Sequence, residues 1–132
     1  MISNLLRGNV VKGRQLGRTI GFPTANIEPI QATCSLPHGV YGVRVLTDGK
    51  WYDGIMNIGN RPTFDDGFHT SFEVHIFNFN QDIYNQLLHV EVCFFIREET
   101  AFSGIDHLVS QIKQDVHYTK EKFEFHRYKM AL

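Results

Sequence analysis

The 132-residue chain has only two cysteines, no surplus of positive charge, no long apolar run and almost no glycine in its second half. Cys34 and Cys93 lie far apart, without C-x-x-C spacing and without a companion histidine cluster. That pattern fits neither a zinc site nor a disulfide scaffold, so each reads as a buried or idle thiol and the pair points to a reducing compartment. Thirteen Lys and Arg face fourteen Asp and Glu, a formal charge of −1. A nucleic-acid partner is therefore not expected, because neutralising phosphates needs clustered excess cations. No stretch approaches the roughly 18 apolar residues that cross a bilayer, so no membrane partner is expected either. The opening residues Met1 to Arg7 lack a secretory hydrophobic stretch, no N-x-S/T acceptor occurs, and a cytoplasmic setting is expected. Ten of the eleven glycines fall at or before Gly67, leaving only Gly104 beyond, which locates backbone-driven work in the first half.

What remains is an ordinary globular composition, 42% hydrophobic and 20% charged, with a length that suits one domain over residues 1–132. Val40–Leu46, Thr47–Lys50 and Trp51–Ile58 read as a hairpin, since Asp48-Gly49 between apolar runs is a strong tight-turn signal. From His69 to Phe79 the chain alternates, with Phe72, Val74 and Ile76 on one face and Glu73, His75 and Phe77 on the other. Gln86 to Ile96 alternates again, and Gly8 to Gly13 is a further short strand. Beyond these the period changes. Ile105, Leu108, Val109, Ile112, Val116 and Phe123 form the stripe of an amphipathic helix, with Ser103 and Asp106 spaced as a capping box. About six strands with glycine-rich turns, then one helix, favour a closed or nearly closed antiparallel barrel over about residues 5–100 and a helix over about 104–126.

The segment Gly13-Arg14-Gln15-Leu16-Gly17-Arg18-Thr19-Ile20-Gly21-Phe22-Pro23-Thr24-Ala25-Asn26 is the densest in chemistry. Glycines at 13, 17 and 21 permit close backbone approach, and consecutive N–H groups with Arg14 or Arg18 could cradle phosphate. A plain glycine-rich connection explains the same spacing. Gly8-x-x-x-x-Gly13-Arg14-Gln15 misses the P-loop pattern, because Gln15 lacks the hydroxyl that ligates magnesium there. Pro23 stiffens the chain just before Thr24 and Asn26, whose hard oxygens suit Mg²⁺ beside substrate phosphates; a turn with Asn26 as a cap is the alternative.

Taken in order, G-x-V-x-x-G and G-R-x-x-G-F-P-T-A-N, then Leu36 to Gly42 and Met56 to Phe64, make a colinear set. It continues through Phe72-Glu73-Val74-His75-Ile76, Asp82-Ile83-Tyr84, Arg97-Glu98-Glu99-x-x-Phe102 and Leu108-x-x-Gln111-Ile112-x-x-Asp115. This set resembles the riboflavin kinase family over nearly the whole chain. The resemblance implies a six-stranded antiparallel, Greek-key-like closed barrel with a C-terminal helix, and phosphoryl transfer from ATP to riboflavin giving FMN and ADP. By the family pattern Glu73 is the base for the ribityl 5′-hydroxyl, and Thr24 and Asn26 bind Mg²⁺, with Zn²⁺ or Mn²⁺ as alternatives. Gly13, Arg18, Thr24, Ile76, Asn78 and Tyr84 fall at nucleotide positions, and Arg97, Thr100 and Phe102 at flavin positions.

Several positions depart from that pattern. Asn78-Phe79 stands where the family often has Asp-Phe, Asn85 where it commonly has Gly, and Thr100 or Ala101 where a Lys is frequent. Asparagine tolerates a left-handed φ, so the turn at Asn85 is expected to survive. His75 shares the face of Glu73 and either orients that carboxylate or lies at the surface or just behind the site. The expected partners are riboflavin and ATP, together with an adenylyltransferase domain absent from this chain, as in bifunctional FAD synthetases. A non-catalytic flavin-binding or regulatory module, and a redox flavoprotein barrel, are the competing readings. The glycines from Gly8 to Gly21 are expected to face phosphate, and those from Gly39 to Gly67 to sit at or near strand ends and turns.

Overall fold

The computed structural model describes residues 4–12, 20–30, 35–63 and 67–132. These contain six strands, β1 (Asn4–Val11), β2 (Ala25–Pro29), β3 (Gly39–Thr47), β4 (Lys50–Thr63), β5 (Gly67–Ile76) and β6 (Leu87–Arg97). One helix follows, α1 (Ile105–Ala131). Every strand pairing is antiparallel, and the order β1-β2-β5-β4-β3-β6 closes on itself. The pairings of β2 with β5 and of β3 with β6 skip over intervening strands, which gives the Greek-key-like character that the family resemblance implies. Closure satisfies the hydrogen-bonding edges that an open sheet would leave free.

Period-two alternation builds the interior. Leu6 and Val10, Ile27, Tyr41, Val43 and Val45, Met56 and Ile58, Phe72, Val74 and Ile76, and Leu88, Val90 and Val92 join in one buried cluster. Each side chain of this size contributes about 1.5–3 kcal/mol by leaving water. The predicted hairpin is β3–β4, paired from Gly39↔Ile58 to Thr47↔Lys50. Its turn places Asp48 at φ 50° and Gly49 at φ 74°, the two successive left-handed residues that match the twist of the flanking strands.

Strand β2 is not among the strands expected from the sequence, where a turn with Asn26 as a cap is one of the readings left open. It is only five residues long, yet Ile27 enters the core while Asn26 and Glu28 alternate away from it. Gly42, Gly54 and Gly59 lie inside strands rather than at their ends. They are required there by packing: a Cβ would meet the Phe94 ring at Gly42, the His75 carbonyl at Gly54 and the Glu99 carboxylate at Gly59.

In α1 the expected capping box does not form. Gly104 is the N-cap in an extended conformation with no side-chain cap, and the Ser103 hydroxyl instead meets His107 Nδ1 at 2.9 Å. Ser103 stands one residue too early to cap. The buried stripe also differs from the purely apolar one anticipated: Asp115, Thr119 and Phe123 are buried whereas Ile105 is exposed. Gln111 Nε2 donates to Asp115 Oδ1 at 2.9 Å and Thr119 donates to the Asp115 carbonyl at 2.7 Å, so both buried polar residues find partners along the helix.

Candidate active site

Strand β5 supplies the carboxylate around which the site is built. Phe72, Val74 and Ile76 fill the core, so alternation turns Glu73 to the outer face of the barrel, where it is half-buried. Register gives it two neighbours on that face: Asn26 across β2–β5 and Asn57 across β5–β4. Directly opposed side chains in an antiparallel sheet share a face, with Cβ atoms about 4.5–5.5 Å apart. The three strands therefore set Asn26, Glu73 and Asn57 in a row. Asn26 is buried although it points away from the core.

The segment leading into β2 is fixed to β5. Gly21 takes φ 90°, and the chain then runs extended through Phe22, Pro23 and Thr24. His75 Nδ1 lies 2.8 Å from the Pro23 carbonyl. That oxygen only accepts, so Nδ1 carries the proton and donates. Phe22 and Phe77 meet the same imidazole edge-on, with centroids at 5.6 and 5.8 Å. His75 thus clamps the chain just before Thr24, in keeping with a residue at the surface behind the site rather than in it.

Beside this row opens a cleft of about 730 Å³. Its walls are the end of β1 with Lys12, the Pro23–Asn26 segment, and the loop from Phe79 to Tyr84. That loop is tied down at both ends. The Phe77 N–H donates to the Asp53 carbonyl at 2.8 Å, the Asn85 N–H to Val10 at 3.0 Å, and the Val10 N–H to Gln86 at 2.9 Å. Asn78 and Asn85 take φ 54° and 68°, so the turn expected to tolerate asparagine at 85 does so. The Tyr84 N–H donates to Asp82 Oδ1 at 3.0 Å. Ile83 enters the core, and the Phe79 ring packs edge-on against Tyr52 at 5.0 Å.

Four of the residues singled out from the sequence line this cleft: Thr24, Asn26, Ile76 and Tyr84. Asn78, exposed in the turn after β5, is not among its walls. Gly13 and Arg18, with the rest of the glycine-rich loop, lie outside the described residues, as does Cys34. Arg97 ends β6, where its Nη1 donates to the Glu98 carbonyl at 3.1 Å. Thr100 is exposed and Phe102 half-buried in the segment before α1. Residues not singled out as site residues include Lys12, Asp82 and Asn57. Lys12 was a lone cation next to a more conspicuous arginine pair, and only strand register reveals Asn57.

Thr24 and Asn26 are two apart on extended backbone, so their hydroxyl and amide side chains share one side. Among the described residues no group of three or more His, Cys, Asp or Glu could hold a metal. A neutral oxygen pair does fit Mg²⁺, which keeps several waters and shares phosphate oxygens, better than Zn²⁺, which prefers nitrogen and sulfur. Cys93 is an inert thiol. Burial, then the neighbouring Glu91 carboxylate, push its pKa up to about 12.

Comparison with known proteins adds an independent line. The family model for riboflavin kinase (flavokinase) matches residues 3–123. The RNA-binding riboflavin kinase RibR of Bacillus subtilis is 39% identical over 91% of this chain and 51% of its own length. The bifunctional riboflavin kinase/FMN adenylyltransferase of Haemophilus influenzae is 45% identical over 88% of this chain and 37% of its own. The chain thus spans about half of one curated relative and little over a third of the other. The crystal structure of riboflavin kinase from Trypanosoma brucei superposes with a TM-score of 0.64 at 27% identity, covering 91% of this chain and 79% of that one.

Proposed function

Because the chain belongs to the riboflavin kinase family, we propose that it transfers the γ-phosphoryl group of ATP to the 5′-hydroxyl of riboflavin, giving FMN and ADP. The observation that carries this reading is the register Asn26↔Glu73 beside the cleft lined by Thr24 and Asn26. It sets a proton acceptor next to oxygen donors suited to a metal–phosphate complex.

In this reading Glu73 accepts the 5′-hydroxyl proton as that oxygen bonds to the γ-phosphorus. The bond from phosphorus to the β–γ bridging oxygen breaks and ADP departs. Positioning and charge neutralisation supply most of the acceleration in such transfers. Thr24 and Asn26 hold Mg²⁺, which supplies charge neutralisation at the phosphates when bound. Lys12, Ile76 and Tyr84 receive the nucleotide, joined by Gly13, Arg18 and Asn78 as the family pattern implies. Arg97, Thr100 and Phe102 are assigned to the flavin on the same ground.

Riboflavin and ATP are the proposed partners. An adenylyltransferase module, of the kind named in the bifunctional relative, is proposed as a companion domain. RNA binding, named in one relative, is not carried over, because 13 cations against 14 anions leave no positive surplus. A cytoplasmic setting is proposed from the cysteine usage; among the described residues no helix is long and apolar enough to cross a membrane.

Incubation with MgATP and riboflavin, followed by chromatographic separation of flavins, is expected to yield FMN in proportion to ADP. Riboflavin binding without FMN formation across Mg²⁺, Mn²⁺ and Zn²⁺ would replace the kinase with a non-catalytic flavin-binding module.

A further inference from the structure

Among the described residues, two buried side-chain polar atoms have no hydrogen-bond partner: Arg44 Nε and Asn57 Oδ1. They differ in what surrounds them. Arg44 stacks over the Trp51 ring at 4.9 Å and is opposed in register by Asp53 on β4 and Glu91 on β6. Carboxylate-bearing residues thus flank it in register on both sides.

Asn57 has no such complement. Its register neighbours on the outer face are Glu73 and Val40. A carboxylate only accepts, so Glu73 can take a hydrogen bond from the Asn57 amide nitrogen and give none to Oδ1. Val40 is apolar. Of the diagonal neighbours on β5, Ser71 has its hydroxyl on the Gly59 carbonyl at 3.3 Å and His75 has its Nδ1–H on the Pro23 carbonyl at 2.8 Å. An acceptor buried without a donor costs on the order of 1–3 kcal/mol, and such groups in folded proteins call for a cause outside the hydrogen-bond network itself. Here that acceptor stands directly beside the proposed proton acceptor of the reaction.

Resting on the kinase reading above, we propose that Asn57 Oδ1 accepts a hydrogen bond from the substrate hydroxyl adjacent to the one that is phosphorylated. Two acceptors side by side on one sheet face match two hydroxyls on neighbouring carbons. The terminal hydroxyl addresses Glu73, and its neighbour, the 4′-hydroxyl of the ribityl chain, addresses Asn57. The pair thereby selects an alcohol acceptor that ends in a 1,2-diol and sets the reacting oxygen against Glu73. Asn57 is a specificity and positioning residue; Glu73 carries the proton.

The test compares riboflavin, 4′-deoxyriboflavin and 2′-deoxyriboflavin with the wild-type chain and with Asn57→Leu, which keeps similar volume but removes the acceptor. Wild type is expected to prefer riboflavin over the 4′-deoxy compound by at least tenfold in kcat/KM, and over the 2′-deoxy compound by much less. Asn57→Leu is expected to shrink the 4′ preference to within about twofold, chiefly through a higher KM for riboflavin, with KM for ATP unchanged. Its melting temperature is expected to hold or rise, because an unsatisfied buried group has been removed. Asn57→Asp, which retains an acceptor, is expected to keep the 4′ preference. A preference that survives in Asn57→Leu, or a lowered melting temperature with discrimination intact, overturns the proposal. Flavin affinities measured by fluorescence quenching without ATP separate the two readings. If wild type forms no FMN the kinase reading fails, while loss of 4′-hydroxyl discrimination in binding still decides the role of Asn57.

Discussion

Strand β5 sends Phe72, Val74 and Ile76 into the barrel and Glu73 and His75 out of it, and different physics holds the two sets. The inward residues are secured by many weak contacts that any neighbour of similar volume could supply. The outward residues depend on register: Glu73 on its alignment with Asn26 and Asn57, His75 on one carbonyl of a neighbouring segment. Fold is therefore distributed over one face of the strand, and the proposed chemistry is concentrated at single atoms on the other. Changes on the inner face away from the cleft, which Val74 and Ile76 also line, should cost stability while sparing turnover, and changes on the outer face should do the reverse.

The sharpest test of that division is Glu73→Gln. The substitution keeps shape and removes proton-accepting capacity, so kcat is expected to fall by about 10²- to 10⁴-fold, the usual range for loss of a general base. Riboflavin affinity and melting temperature are expected to stay near wild type. A loss under tenfold would take the base out of the proposed reaction, and a large drop in melting temperature would make Glu73 a structural residue.

Met56→Ala probes the opposite face next. Met56 is fully buried in the core cluster and lies in register with Val74. Truncation leaves a cavity and is expected to cost about 2–5 kcal/mol in chemical denaturation. Below its melting temperature the surviving folded protein is expected to turn over within a few-fold of wild type. A proportionate loss of kcat would show that the two faces are not separable.

The contrast also explains what is legible in the amino-acid sequence. Alternation in Phe72–Ile76 and the turn signal at Asp48-Gly49 are local, so the strands, the hairpin and the outward direction of Glu73 follow from neighbouring residues alone. Pairing is not local. Five-residue β2 is too short and too polar at Asn26 and Glu28 to announce itself, and without it nothing sets Asn26 opposite Glu73. Asn57 reads as an ordinary strand amide until β4 is aligned with β5. Ser103 and Asp106 have cap spacing, but the helix starts one residue later, with Gly104 as its N-cap. Composition identified the first half as the place for backbone work, while the interior glycines turned out to answer to cross-strand packing at Phe94 and His75.

The smallest expected effect lies at His75, where the outer face grips the segment that carries Thr24. Its Nδ1–H is the donor to Pro23, and the flanking Phe22 and Phe77 rings hold the imidazole in place. His75→Phe keeps an aromatic ring and removes the donor. A neutral hydrogen bond contributes about 0.5–1.5 kcal/mol net, which sets an upper bound of about 2- to 12-fold on the loss if all of it is spent positioning Thr24 and Asn26. The increase is expected in KM for ATP, with KM for riboflavin little changed. His75→Asn, whose amide can present a donor near the place of Nδ1, is expected to recover part of it. A merely structural histidine would lower the melting temperature in both variants and leave the ratio of the two KM values alone. A shift in that ratio, restored by asparagine, would show one hydrogen bond on the outer face of β5 acting on the cleft through the chain it clamps.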